Sequence, residues 1–133
     1  MTAILHAGVA QGAVLLLHEP LSFWGAFDPR QGIIIDVHHP QRGQSVKGRI
    51  LMMRESRGSG SASGGLAEAI RLGTGPAGII LIEPDINLAI GAQVAETLYG
   101  KSCPVLAISP QDFAAFSKHA HLHITNEGVE AAP

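Results

Sequence analysis

PAGIILIEPDINLAIGAQVAETLYGKSCPVLAI, residues 76–108, is the stretch that decides the fold. Residues 76–83 form a continuous apolar run with a polar end, which predicts a buried strand. The period then changes. Over residues 84–100, Leu88, Gly91, Val94, Ala95 and Leu98 fall on one stripe at helical spacing. Residues 103–108, CPVLAI, return to a short buried strand. Strand, helix and strand at these lengths make a parallel β/α unit, because parallel strands need a long crossover. Upstream, GLAEAIRLG (65–73) places Leu66, Ala69 and Ile70 on one helical face, with Gly73 suited to the C-terminus. VKGRILMM (46–53) reads as the strand before it. Downstream, SPQDFAAF (109–116) carries Ser109 as N-cap, Pro110 at the first helical position and Asp112 three residues after the cap. HLHIT (121–125) is a last short strand.

The N-terminal part reads differently. AVLLLH (13–18) is a strand, and residues 21–36 predict strand, turn and strand around DPRQG (28–32), where Pro presets φ and Gly permits a positive one. MTA and EGVEAAP at the two ends read as frayed termini. There is no internal repeat. Antiparallel strands first, then alternating helix and strand, give a three-layer β/β/α domain, with residues 1–133 as one unit.

Composition excludes several functions. The chain has 133 residues, 46% of them hydrophobic, and a formal net charge of −2. Nothing here favours nucleic acid or an anionic membrane. No apolar run approaches a membrane span, and no basic region precedes the N-terminal apolar residues, so the cytoplasm is the expected location. Cys103 is the single cysteine, so neither an internal disulfide nor a thiolate-held iron–sulfur cluster can be built by this chain alone. Low charge with high apolar content points to surface buried against a partner.

The chemistry-bearing stretch is ESRGSGSASGG, residues 55–65, between a predicted strand and a predicted helix. The N-terminus of a helix carries unpaired N–H donors and partial positive charge. Gly58 lets an anion approach the backbone, and Arg57 can pair with it in bidentate fashion. A carboxylate or a phosphate is the natural guest. The pattern is neither a Walker loop nor a dinucleotide fingerprint. The competing reading is a flexible connector in which Ser61 or Ser63 caps the helix. Phe23 and Trp24 with Phe27 form either a piece of core or an aromatic wall facing a partner. His119, His121 and His123 would share one strand face, which reads as half-exposed surface and not as a metal site. Asp85 reads as a helix cap and Cys103 as a small buried hydrophobe.

Three stretches in order, LSFWGAFDPRQGIIIDVHHP (21–40), RGSGSAS (57–63) and the run from Ala67 to Val105, resemble the small swivel-type subunit of the aconitase X family, within the aconitase superfamily. The resemblance covers most of residues 8–125. It implies a swivelling β/β/α domain that works as the small subunit of an iron–sulfur dehydratase, inactive without a large subunit that supplies the cluster. It also implies a small anionic hydroxy acid as substrate. The family's known activities act on cis-3-hydroxy-L-proline, giving Δ1-pyrroline-2-carboxylate, and on mevalonate 5-phosphate. A chain without enrichment in Lys and Glu favours the first. Carried onto this sequence, Ser59 takes the place of the base that removes the α-proton, Arg57 binds the anionic group, and Gly58, Ser61 and Ser63 line the substrate. Arg54 and Ser56 depart from the family's usual Pro and Gly. Two other readings stand beside this one: a stand-alone anion-binding module, and a hydrolase using Ser59, which has no histidine–acid pair beside it in sequence.

Overall fold

The computed structural model describes residues 2–57 and 60–132. The elements run β1 (Thr2–His6), β2 (Ala10–Leu16), β3 (Phe27–Asp28), β4 (Ile33–Ile34), β5 (Ile50–Met52), α1 (Ser61–Leu72), β6 (Gly78–Leu81), α2 (Ile86–Tyr99), β7 (Val105–Ile108), α3 (Pro110–Phe116), β8 (His121–Thr125) and β9 (Gly128–Ala131).

β2, β5, β6 and β7 pair in parallel as the centre of a seven-stranded sheet of order β1-β7-β6-β5-β2-β8-β9. Alternate residues of these strands face opposite sides. Leu51, Ile79, Leu81, Val105 and Ala107 face α1 and α2, where they pack with Leu66, Ala69, Leu88 and Ala92. Ile50, Met52, Ile80, Leu106 and Ile108 face the other way and meet Phe113 of α3 and Leu122 and Ile124 of β8. Both faces are therefore covered, which is why these strands read as unbroken apolar runs. A Cβ on Gly78 of β6 would lie 2.6 Å from Ile124 Cδ1. β8 therefore folds over the face of the sheet and, with β9, supplies the second β layer. The β/β/α expectation holds.

Other expectations need correction. The ends are ordered pairs of strands: Thr2–His6 lies antiparallel against β7, and Gly128–Ala131 against β8. β1 covers what would otherwise be an open edge of the parallel sheet, and open edges invite aberrant pairing. β2 pairs with β5 in parallel, not as part of an antiparallel first half. The predicted strands in 21–36 shrink to a two-residue ladder, Phe27↔Ile34 and Asp28↔Ile33. Before it, the Ser22 hydroxyl accepts from Trp24 N at 3.1 Å and donates to Trp24 O at 3.0 Å, and Gly25 takes φ +84°, so residues 22–25 turn instead of extending. The turn itself is as expected, with Arg30 N donating to Asp28 Oδ1 at 2.9 Å.

The helix ends follow the sequence closely. Gly73 caps α1 in the left-handed region, Asp85 caps α2 by accepting from Asn87 N, and Ser109 caps α3 by accepting from Asp112 N with Pro110 at the first position. The stripe assigned to α2 was only partly right. Leu88, Gly91 and Ala95 are buried, with Ala89 and Ala92, but Val94 and Leu98 are exposed. Among the described residues, no helix is long and apolar enough to cross a membrane.

Candidate functional site

Residues 55–57 follow the C-terminal end of β5 and Gly60 leads into α1, at the carboxyl edge of the parallel strands. Ligands of open α/β sheets bind outside this edge. Two arms hold the loop. On one side, Arg57 N donates to Leu21 O at 3.1 Å. The next turn of that arm lies against α1, so closely that a Cβ on Gly65 would run into the Phe23 carbonyl oxygen. On the other side, the Ser56 hydroxyl donates to Asp85 Oδ2, while Asp85 Oδ1 accepts from Asn87 N at 2.8 Å. One carboxylate thus caps α2 and ties down the loop. A Cβ on Gly91 of α2 would sit 2.6 Å from Ser63 O, so the helices touch at the same level.

The arms have foundations of their own. His39 is buried; its Nδ1 accepts from Gln41 N at 3.0 Å, which leaves Nε2 to donate to Glu19 O at 3.1 Å. Gln41 Nε2 donates to Leu16 O at 2.8 Å, and its Oε1 accepts from His18 N at 2.9 Å. The His-His-Pro-Gln stretch therefore braces residues 16–19, which lead into the Leu21 arm.

Between the arms lies the entrance to α1, which no side chain among the described residues caps. Gly60 is the N-cap residue, without a side-chain capping bond, and no acidic side chain lies in the first turn. Ser61 and Ser63 are not caps: Ser61 opens the helix, and the Ser63 hydroxyl donates to Gly60 O. Such an end retains the donors and partial positive charge that favour an anion. The Arg57 side chain is exposed, and among the described residues no carboxylate pairs with it. Gly58 and Ser59 lie outside the described residues.

Some residues gain roles that sequence reasoning missed. Trp24 is 65% exposed, whereas Phe23 and Phe27 are buried in an edge-to-face pair at 4.9 Å. The aromatic cluster is thus split between core and surface, with the tryptophan on the arm beside α1. Ser56 is the loop's tether to α2. Arg54 is exposed, while its backbone oxygen accepts from Ile82 N and Glu83 N; with Glu55 it borders a cleft formed with His18 and Glu19.

The remaining sequence candidates lie elsewhere. His119 precedes β8 and its ring meets Phe116, and His123 pairs with Glu130 at 3.5 Å. Among the described residues, no group of three or more His, Cys, Asp or Glu side chains could hold a metal ion. Cys103 is fully buried, and burial pushes its thiol from its ordinary value up to about 12. A thiolate, the form that ligates iron, is therefore strongly disfavoured there. The described residues do not fit an iron–sulfur cluster.

This arrangement defines a class of protein: an α/β domain of the swivel type with the N-terminus of α1 at the carboxyl edge of its parallel strands. The family model for the aconitase X swivel domain matches residues 2–131, and the chain belongs to that family. It is 47% identical over 104 residues to cis-3-hydroxy-L-proline dehydratase of Pseudomonas aeruginosa, a match spanning 78% of this chain but 18% of that protein. The phosphomevalonate dehydratase small subunit of Methanosarcina mazei is 36% identical over 89 residues, 67% of this chain and 62% of that subunit. Among solved structures, Thermococcus kodakaraensis aconitase X in its holo form superposes with a TM-score of 0.82 at 26% identity, over 98% of this chain and 95% of that one. The chain thus spans less than a fifth of the length of the cis-3-hydroxy-L-proline dehydratases it matches.

Proposed function

We propose that this chain is the swivel-type small subunit of a cytoplasmic dehydratase and acts with a larger polypeptide on a small anionic hydroxy acid, cis-3-hydroxy-L-proline before mevalonate 5-phosphate. The observation that carries the reading is the braced loop, with an exposed Arg57 at an uncapped helix entrance. Arg57 pairs with the substrate carboxylate, and the α1 N-terminus adds its partial positive charge. Ser59, in the base role, takes the α-proton. The electron pair left on the α-carbon forms the carbon–carbon double bond, and the β-hydroxyl departs with a proton as water. With cis-3-hydroxy-L-proline, the enamine so formed tautomerises to Δ1-pyrroline-2-carboxylate.

A serine is a weak base in water, so this role needs an enclosed site with positive groups beside the oxygen. The loop lies on an open edge of the domain, so the second wall belongs to the larger polypeptide. The proposal places the iron–sulfur cluster there as well, because Cys103 offers no usable thiolate. The higher identity to the hydroxyproline enzyme supports the order of substrates. The test is an assay of the purified pair on both compounds. Water loss from cis-3-hydroxy-L-proline is expected; turnover of mevalonate 5-phosphate alone would reverse the choice of substrate.

A further inference from the structure

α2 has the wrong outer surface for a helix that faces water. Its inner residues, Leu88, Ala89, Gly91, Ala92 and Ala95, are buried. A helix buried along one face normally carries charge on the other. Here Ile86, Ile90, Val94 and Leu98 follow one another at four-residue spacing and all are exposed, Ile86 at 72% and Leu98 at 64%. Glu96 is the single charged residue among residues 86–99, and it is engaged by His6 of β1 at 3.3 Å. Ile90, Val94 and Leu98, with Gln93 and Thr97, line a shallow groove of about 280 Å³. A helix apolar on both sides belongs between two layers, and among the described residues only the inner layer is present.

The stripe starts at the candidate site. Ile86 follows Asp85, the residue that tethers Ser56, and Ile90 precedes Gly91, which lies against Ser63. We infer that this face of α2 is the docking surface for the larger dehydratase polypeptide, which meets it with an uncharged, apolar patch. The inference rests on the functional reading above, in which that polypeptide closes over the adjoining loop. Size supports the same occupant: the matched region is 18% of the Pseudomonas aeruginosa dehydratase, so most of that protein lies outside the domain shared with this chain. Depletion of charge at the centre of a contact face is the usual mark of a protein–protein interface.

The test uses the intact chain and the large subunit from the same organism, with affinity read by calorimetry. Ile90→Glu and Val94→Glu place a helix-compatible charge at exposed positions. They should weaken the complex by roughly 100-fold and leave the circular-dichroism melt of the chain unchanged. Equal affinity of wild type and variants would overturn the inference while leaving the functional reading intact. So would a Val94→Glu variant that abolishes self-association of the chain without changing its affinity for the large subunit, since the occupant would then be a second copy. If a variant unfolds, hydrogen exchange on the wild-type complex decides: new protection across residues 86–99 supports the inference, and none overturns it. Failure of the wild-type chain to bind the large subunit at all would bring down the functional reading and this inference together, and is seen without any variant.

Discussion

α1 and α2 pack side by side on one face of the same sheet, yet they treat their outer surfaces in opposite ways. α1 turns a polar surface outward, where Glu68 and Arg71 form a half-exposed ion pair, and among the described residues no side chain caps its N-terminus. α2 has its N-terminus closed by Asp85 and turns isoleucine, valine and leucine outward. The difference separates two tasks. The proposed function assigns one helix to a small anion and the other to a large polypeptide. The Ser56–Asp85 bond joins the two, so the loop and the apolar face form one continuous edge.

The comparison can be broken most severely at the α1 entrance. Ser59→Ala should reduce turnover by about 100-fold or more, with the melting temperature and assembly unchanged; normal activity would remove Ser59 from the base role. A second test contrasts two glycines within α1. Gly65→Ala should destabilise the chain by about 1–3 kcal/mol in urea unfolding, because the methyl group meets the Phe23 carbonyl. Gly64→Ala has open space around it and should stabilise by about 0.5–1 kcal/mol through helix propensity. If both changes act alike, the 21–24 arm is not pressed on α1 as described. Ser56→Ala, which cuts the tether between loop and α2, should cost about 1 kcal/mol. The smallest effect is on the α1 surface. The Arg71 hydrogen bond holds the Glu68 carboxyl below its ordinary value. Such a pair adds stability above the usual glutamate range and loses it as pH falls through the lowered value. Both partners are solvent-exposed, so Glu68→Gln should leave the melt unchanged at neutral pH.

What the sequence made legible follows from where the information lies. β6, α2 and β7 were readable because strands buried on both faces appear as unbroken apolar runs. Gly73, Asp85, Ser109 and Pro110 announced helix ends by local chemistry. Val94 and Leu98 share a helical stripe with Leu88, Gly91 and Ala95 in the sequence but not their burial, because α2 is apolar on both sides and periodicity cannot tell inside from outside. β1 and β9 went unread because each pairs along a sheet margin with mostly exposed side chains, which leaves little alternation to detect. Trp24 could not be parted from Phe23 and Phe27 until the turn at residues 22–25 was seen. The Ser56–Asp85 contact joins residues 29 apart in sequence, and no local pattern signals it. The resemblance over residues 21–40 and 57–63 located the loop, while its bracing by Leu21, His39 and Asp85 emerged only from the fold.

The most direct test of this account compares three samples at equal concentration with cis-3-hydroxy-L-proline: this chain alone, the large subunit alone, and the two mixed. The account predicts turnover in the mixture and essentially none from either polypeptide by itself. Full-rate conversion by this chain alone would contradict it.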